Sequence, residues 1–123
     1  MLVLKDVFVM IVAVEALFIM LLEMFGTQTA MARKAFAVSA EYLATSEARA
    51  AMANQGLYNG FVGVGLLYAR YGLNGVPAHN VQLLFVGFVV IAAIFGAITA
   101  NKQIVLTQGG PAIVALLLLL LAR

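Results

Sequence analysis

Residues 4–25 read LKDVFVMIVAVEALFIMLLEMF, an apolar run interrupted by Glu15 and Glu23. As an α-helix, 22 residues extend for about 33 Å, enough to cross the hydrocarbon layer of a bilayer. Gly26 follows directly, and glycine commonly ends helices. The stretch therefore predicts a first membrane-spanning helix that carries two carboxyl groups, Glu15 and Glu23, inside its apolar run.

Three further apolar runs, at about 48–70, 81–100 and 104–122, predict three more spans. Of the 123 residues, 65% are hydrophobic and 10% are charged, and the mean hydropathy is +1.10. A water-soluble domain of this size has too small a core to hide so much apolar surface. We predict an all-α fold, an integral membrane four-helix bundle that forms a single transmembrane domain over residues 1–123. The location is then a membrane crossed several times.

The segments between these runs contain local signals of their own. Residues 27–49 form the one long loop, in which the stretch from Phe36 to Leu43 has near-helical apolar spacing. This predicts a short amphipathic helix on the membrane surface. The segment TSE, 45–47, is suited to cap the second helix, and residues 72–77, rich in Gly and Asn, predict a tight turn. Pro111 predicts a kink or break in the fourth helix, since proline has no amide hydrogen.

Charged and metal-binding residues are scarce. The chain has no cysteine and one histidine, His79, which we interpret as an interfacial residue, and no metal site or cofactor is expected. The net charge of +2 is too small to predict nucleic-acid binding. Lysine and arginine number four on the long-loop side and three on the terminal side, so both membrane orientations stay open.

Polar side chains concentrate toward the long-loop end of the predicted spans. Glu15 lies about two turns deeper than Glu23 and, at 100° per residue, both can face the bundle interior. A mid-membrane carboxyl costs on the order of 3 kcal/mol and needs partners, water or a proton. We therefore predict a pocket for a ligand or a proton, lined by Glu15, Glu23, Asn54, Gln55, Tyr58, Asn59, Asn101 and Gln108.

Small residues at four-residue spacing indicate where helices approach closely. Packing positions are predicted at Gly56, Gly60, Ala92, Gly96 and Pro111. A bundle of 13.0 kDa has little interior of its own, so we also expect a homo-oligomer, a homodimer first of all.

The sequence is compatible with three functions. The first is a protein that binds or transports a small polar or cationic ligand, or protons, through the carboxyl groups. The second is a small membrane enzyme or lipid-binding protein that uses the same pocket, with membrane lipid as its partner. The third is a structural or accessory subunit in which the polar residues only hold helices together. The sequence does not decide whether the protein is an enzyme.

Two segments carry a family resemblance. NQGLYNG at 54–60 and QGGPA at 108–112, together with Glu15 and the LEMF of residues 22–25, resemble the small bacterial four-helix membrane proteins of domain of unknown function 1304. The resemblance spans nearly the whole chain. It implies a bacterial inner-membrane location and no established activity, and it implies that the motif residues coincide with the predicted pocket.

Overall fold

The computed structural model describes residues 2–36, 38–99 and 105–122, and all of its regular elements are helical. The prediction of an all-α fold is thus confirmed for these ranges. Residues 100–104, where the third span was predicted to end and the fourth to begin, lie outside the described residues. The elements are α1 (Leu2–Phe25), α2 (Ala30–Phe36), α3 (Ala40–Ala44), α4 (Ser46–Tyr71), α5 (Gly75–Thr99), a π-helical turn (Val105–Gly109) and α6 (Gly110–Leu121).

The closest helix pair is α1 with α4, and glycines on α4 make the approach possible. A methyl group at Gly63 would lie 2.7 Å from Cγ of Leu17 and 3.0 Å from the carbonyl oxygen of Ala13. A methyl group at Gly60 would overlap Sδ of Met20. The two backbones are therefore nearer than any larger residue would allow.

The other long helices complete a single hydrophobic core. Helix α5 contacts both α4 and α6, and α6 also contacts α1. The buried core draws on all four: Val9, Val12, Ala13, Leu66, Val86, Ala112, Ala115 and Leu119. Most of these core residues are alanine or valine. Their short side chains allow the helices to pack closely around a small core.

The long loop is helical, as predicted, but in two short pieces instead of one. Helix α3 has its own N-cap, because the Ser39 hydroxyl accepts a hydrogen bond from the amide of Tyr42 at 3.1 Å. That cap interrupts the single helix predicted from Phe36 to Leu43. Leu43 itself is fully buried, and its carbonyl accepts a hydrogen bond from Nε2 of Gln28 at 2.6 Å, which connects α3 to the turn between α1 and α2.

The boundaries of α4 follow the predicted caps, whereas α5 begins earlier than predicted. The Thr45 hydroxyl accepts a hydrogen bond from the amide of Ala48 at 3.1 Å and caps the start of α4, whose C-cap is Gly72. Helix α5 starts at Gly75, six residues before the predicted span, and Gly75 has a φ of +64°. Pro77 thus lies in the first helical turn, where a missing amide hydrogen costs no helical hydrogen bond.

The predicted break near Pro111 takes the form of a π-helical turn. Residues Val105–Gly109 adopt this wider winding immediately before Pro111, which stands in the first turn of α6. Such turns are rare and occur where the regular hydrogen-bond ladder is interrupted. The prediction of an irregular fourth helix is confirmed.

Much of the outer surface is apolar. Two stretches of the described chain, Val3–Phe25 and Gly75–Thr99, are long and apolar enough to cross a membrane, and Thr107–Leu121 is apolar but shorter. On α1 the exposed apolar residues recur every three or four positions: Val7, Ile11, Val14, Phe18, Leu21 and Phe25. A stripe of this size is unusual on a protein surface that faces water.

Candidate functional site

The centre of the candidate site is the carboxyl group of Glu23. Although it is ionisable, this side chain is only 1% exposed. Nε2 of Gln55 donates to its Oε2 and Nδ2 of Asn59 donates to its Oε1, each at 2.6 Å. Both oxygens are therefore held by amides from α4, and we call these three residues the Glu23 cluster.

The local sequence of α4 places both donors correctly. Gln55 and Asn59 are four residues apart and so lie on the same helical face, one turn from each other. Gly56 lies beside them, where a methyl group would come within 3.0 Å of Cβ of Glu23 and 2.8 Å of Cγ of Met24. A larger residue at Gly56 would push α1 outward and lengthen both hydrogen bonds.

A small cavity of about 120 Å³ lies between α1, α4, α5 and the π-helical turn. Its polar lining comes from Glu15, Asn59 and Gln108, all predicted site residues. Its apolar walls are Val12, Ala16, Ile19, Val62, Phe88, Val89 and Ala92. Asn59 belongs to both the cavity and the Glu23 cluster, so the two carboxyl groups share one neighbour.

Two predicted pocket residues lie elsewhere. The Nδ2 of Asn54 donates to the carbonyl of Ala50 at 2.9 Å on the exposed surface. Tyr58 is 67% exposed and contacts Phe61 edge to face, with ring centroids 5.8 Å apart. Each precedes a cluster residue by one position and is therefore rotated by about 100° away from the α1 face. Asn101 lies outside the described residues.

The predicted packing positions have different surroundings. Gly56 and Gly60 are buried at the α1 interface, as described above. Ala92 lines the small cavity but is otherwise exposed, and Gly96 is half-buried. The buried residue at this level of α5 is Ala93. Two α1 side chains that were not predicted from the sequence, Met20 and Leu17, occupy the space left by the α4 glycines.

Neither Glu15 nor Glu23 forms an ion pair with another described residue. Within the described ranges, the ion pairs are Lys5 with Asp6 and Arg70 with Asp6, all at the other end of the helices. Glu15 is half-buried and makes no hydrogen bond with its side chain in the described part of the chain. Among the described residues, no three or more His, Asp or Glu side chains converge as a metal site would require.

These features define an all-helical protein with a buried carboxyl group clamped by amides. The sequence model of one family matches residues 10–120, and the chain belongs to that family, described as "Protein of unknown function (DUF1304)". The chain is also similar to "Uncharacterized protein YpaA" of Lactococcus lactis subsp. lactis (strain IL1403). The two are 39% identical over 108 residues, which cover 88% of this chain and 89% of that protein. No solved structure matches the chain.

Proposed function

We propose that the chain is an integral membrane protein in which α1, α4, α5 and α6 form a four-helix bundle and a single transmembrane domain. The exposed apolar stripe on α1 and the two stretches long enough to cross a bilayer support this placement. Helix α4 is also long enough, with 26 residues, and two of its amide side chains, Gln55 and Asn59, are hydrogen-bonded to Glu23 of α1. The short helices α2 and α3 would then lie at one membrane surface.

Within this bundle, we propose that Glu15 and the Glu23 cluster bind a proton or a small monovalent cation. The observation that carries the proposal is a fully buried carboxyl group with two amide donors and no ion pair in the described chain. A carboxylate has about four lone-pair positions, so two amide donors leave acceptor capacity for a cation or a proton. Buried carboxyl groups without such use are rare in membrane spans because they are costly.

The size of the neighbouring cavity restricts the guest. About 120 Å³ holds on the order of four water molecules at about 30 Å³ each. Pockets for drug-sized ligands are about 300–1,000 Å³. The dimensions therefore favour protons, sodium or potassium ions over bulky organic cations.

Cation-dependent proton release provides the test. The full chain in a weakly buffered detergent solution would receive sodium or potassium chloride while a pH dye reports released protons. We expect release of about one proton per chain in the parent and none in Glu23→Gln, because that substitution keeps size but removes titration. Glu41→Gln is the matched control, since Glu41 is exposed on α3.

Two outcomes would reject the binding proposal. The first is equal proton release from Glu23→Gln and from the parent. The second is the same response to choline chloride, whose cation is too large for the cavity. If no variant changes any cation response but Glu23→Gln unfolds more easily, the cluster is structural and only holds α1 to α4.

A further inference from the structure

A second polar cavity, of about 650 Å³, lies at the opposite end of the long helices. The start of α1, the end of α4, the start of α5 and the end of α6 meet there. From Glu23 to Asp6 the distance along α1 is about 26 Å, so this cavity is separate from the proposed cation site. Its polar lining consists of Lys5, Asp6, Arg70, Asn74, His79 and Gln82, together with Asn80.

Two buried polar atoms in this lining have no hydrogen-bond partner among the described residues. Gln82 is only 4% exposed, yet its Oε1 accepts no hydrogen bond, and Nε2 of His79 is likewise buried without one. The two residues are three positions apart and share one face of α5. Native proteins seldom leave buried polar atoms unsatisfied, because each costs free energy that a bound molecule can recover. A ligand with an N–H or O–H group could donate the missing hydrogen bond to Oε1 of Gln82.

The charged side chains of the same cavity favour an anionic ligand. Asp6 lies between two cations, 3.6 Å from Nζ of Lys5 and 3.8 Å from Nη2 of Arg70. One carboxylate against two cations leaves a net charge of +1 among the described lining residues. The Arg70 side chain remains 42% exposed and retains free N–H groups, and the guanidinium fork suits a phosphate group.

We propose that this cavity binds a phosphodiester that also carries an amine or hydroxyl donor, the chemistry of phosphoethanolamine and phosphoglycerol groups. The phosphate contacts Lys5 and Arg70, and the donor satisfies Oε1 of Gln82. A volume of about 650 Å³ accommodates such a group. Exposed Tyr68 and Tyr71 surround this end of α4, as aromatic residues do at membrane interfaces, which places a lipid headgroup within reach.

A comparison of two lipids tests the donor requirement directly. The full chain in phosphate-free maltoside micelles would be titrated with phosphatidylethanolamine or phosphatidylcholine of identical acyl chains, and lipid retention measured by native mass spectrometry. Phosphocholine has the same phosphate but no N–H or O–H donor. We expect about tenfold tighter retention of the ethanolamine lipid, the effect of one buried hydrogen bond. Equal retention of both lipids would overturn the proposal.

Substitutions test whether Gln82 causes the preference for the ethanolamine lipid and whether Arg70 binds the phosphate. Gln82→Leu removes the acceptor at similar volume and should reduce the preference to less than about twofold, without loss of folding, since Oε1 has no partner in the described part of the chain. Arg70→Gln should weaken retention of both lipids, whereas Arg33→Gln, an exposed arginine on α2, should not. Glu23→Gln should leave the preference unchanged, so this test and the cation test fail independently. A preference that survives both Gln82→Leu and Arg70→Gln would contradict the assignment.

A competition experiment shows whether the bound phosphodiester is a membrane lipid or a soluble compound. Glycerophosphoethanolamine has the headgroup without acyl chains. If it displaces the lipid at equal concentration, the cavity takes a soluble phosphodiester; if it does not, the cavity takes a membrane lipid. Failure of both compounds to bind above the level seen with Arg70→Gln would reject the site.

Discussion

The hydrogen bond from Asn59 to Glu23 should contribute measurably to the stability of the α1–α4 pair. In Asn59→Leu, the Nδ2 that lies 2.6 Å from Oε1 of Glu23 is replaced by an apolar group of similar size. Because Glu23 is fully buried, water cannot replace the lost donor without opening the interface. We therefore expect Asn59→Leu to lower the free energy of unfolding.

The expected loss in the free energy of unfolding depends on whether the acceptor, the carboxyl group of Glu23, is charged. Hydrogen bonds to charged groups contribute about 1.5–3 kcal/mol, whereas polar contacts between helices in a bilayer average about 0.6 kcal/mol. Since one of the two donors of Glu23 remains, from Gln55, we expect a loss of about 1–3 kcal/mol. In the Glu23→Leu background, Asn59→Leu should lower the free energy of unfolding much less, because that background has no buried carboxyl group that would lose a hydrogen bond.

A double-mutant cycle measures this difference. Equilibrium unfolding in mixed micelles of the parent, both single variants and the double variant gives the coupling energy, expected at about 1 kcal/mol or more. Asn54→Leu is the matched control on the same helix, and should change stability by less than about 0.5 kcal/mol because Asn54 is exposed. A coupling below about 0.3 kcal/mol, or an equal loss in Asn54→Leu, would refute the reasoning.

Three further outcomes are expected. Gly63→Ala should destabilise the protein by about 1–3 kcal/mol in equilibrium unfolding, since the backbone of Ala13 cannot yield, whereas Gly87→Ala, with open space around it, should not. Cysteines introduced at Ala40 and Asn74 should be labelled from opposite sides of the membrane by an impermeant maleimide; labelling from one side would contradict the four-span topology. Light scattering of the detergent-solubilised chain should give at least twice the 13.0 kDa protomer mass after subtraction of detergent, and a monomeric mass would reject the homo-oligomer.

Local signals in the sequence predicted the elements well, because each depends on only a few neighbouring residues. The apolar runs predicted helices, Thr45 predicted the α4 cap, and Pro111 predicted the irregularity before α6. The start of α5 was predicted too late, because Gly75 and Pro77 are turn residues that a first helical turn also accepts. The Ser39 cap divided the loop helix for a similarly local reason.

Which residues belong to the candidate site was harder to predict, because this depends on the face that each helix turns toward its neighbours. Position along the helix placed Asn54 and Tyr58 at the same depth as the cluster, but only contact with α1 fixes which face of α4 turns inward. The spacing of Gln55 and Asn59 held the missing information, because they share a face that also includes Gly56. Gln82 was missed because a single amide near a helix start resembles an interfacial residue, and its unpartnered oxygen is a property of the packed structure.

The position of Asn59 between the two carboxyl groups has a thermodynamic consequence. Its amide gives one N–H to Glu23, while its second N–H and its Oδ1 remain for a guest in the cavity beside Glu15. Any guest that reorients this amide changes the affinity of Glu23 for a proton, and by linkage the protonation of Glu23 changes the affinity for that guest by the same factor. Each 1.4 kcal/mol of this interaction alters either affinity about tenfold. One asparagine thus makes occupancy of the cavity and protonation of Glu23 reciprocal quantities.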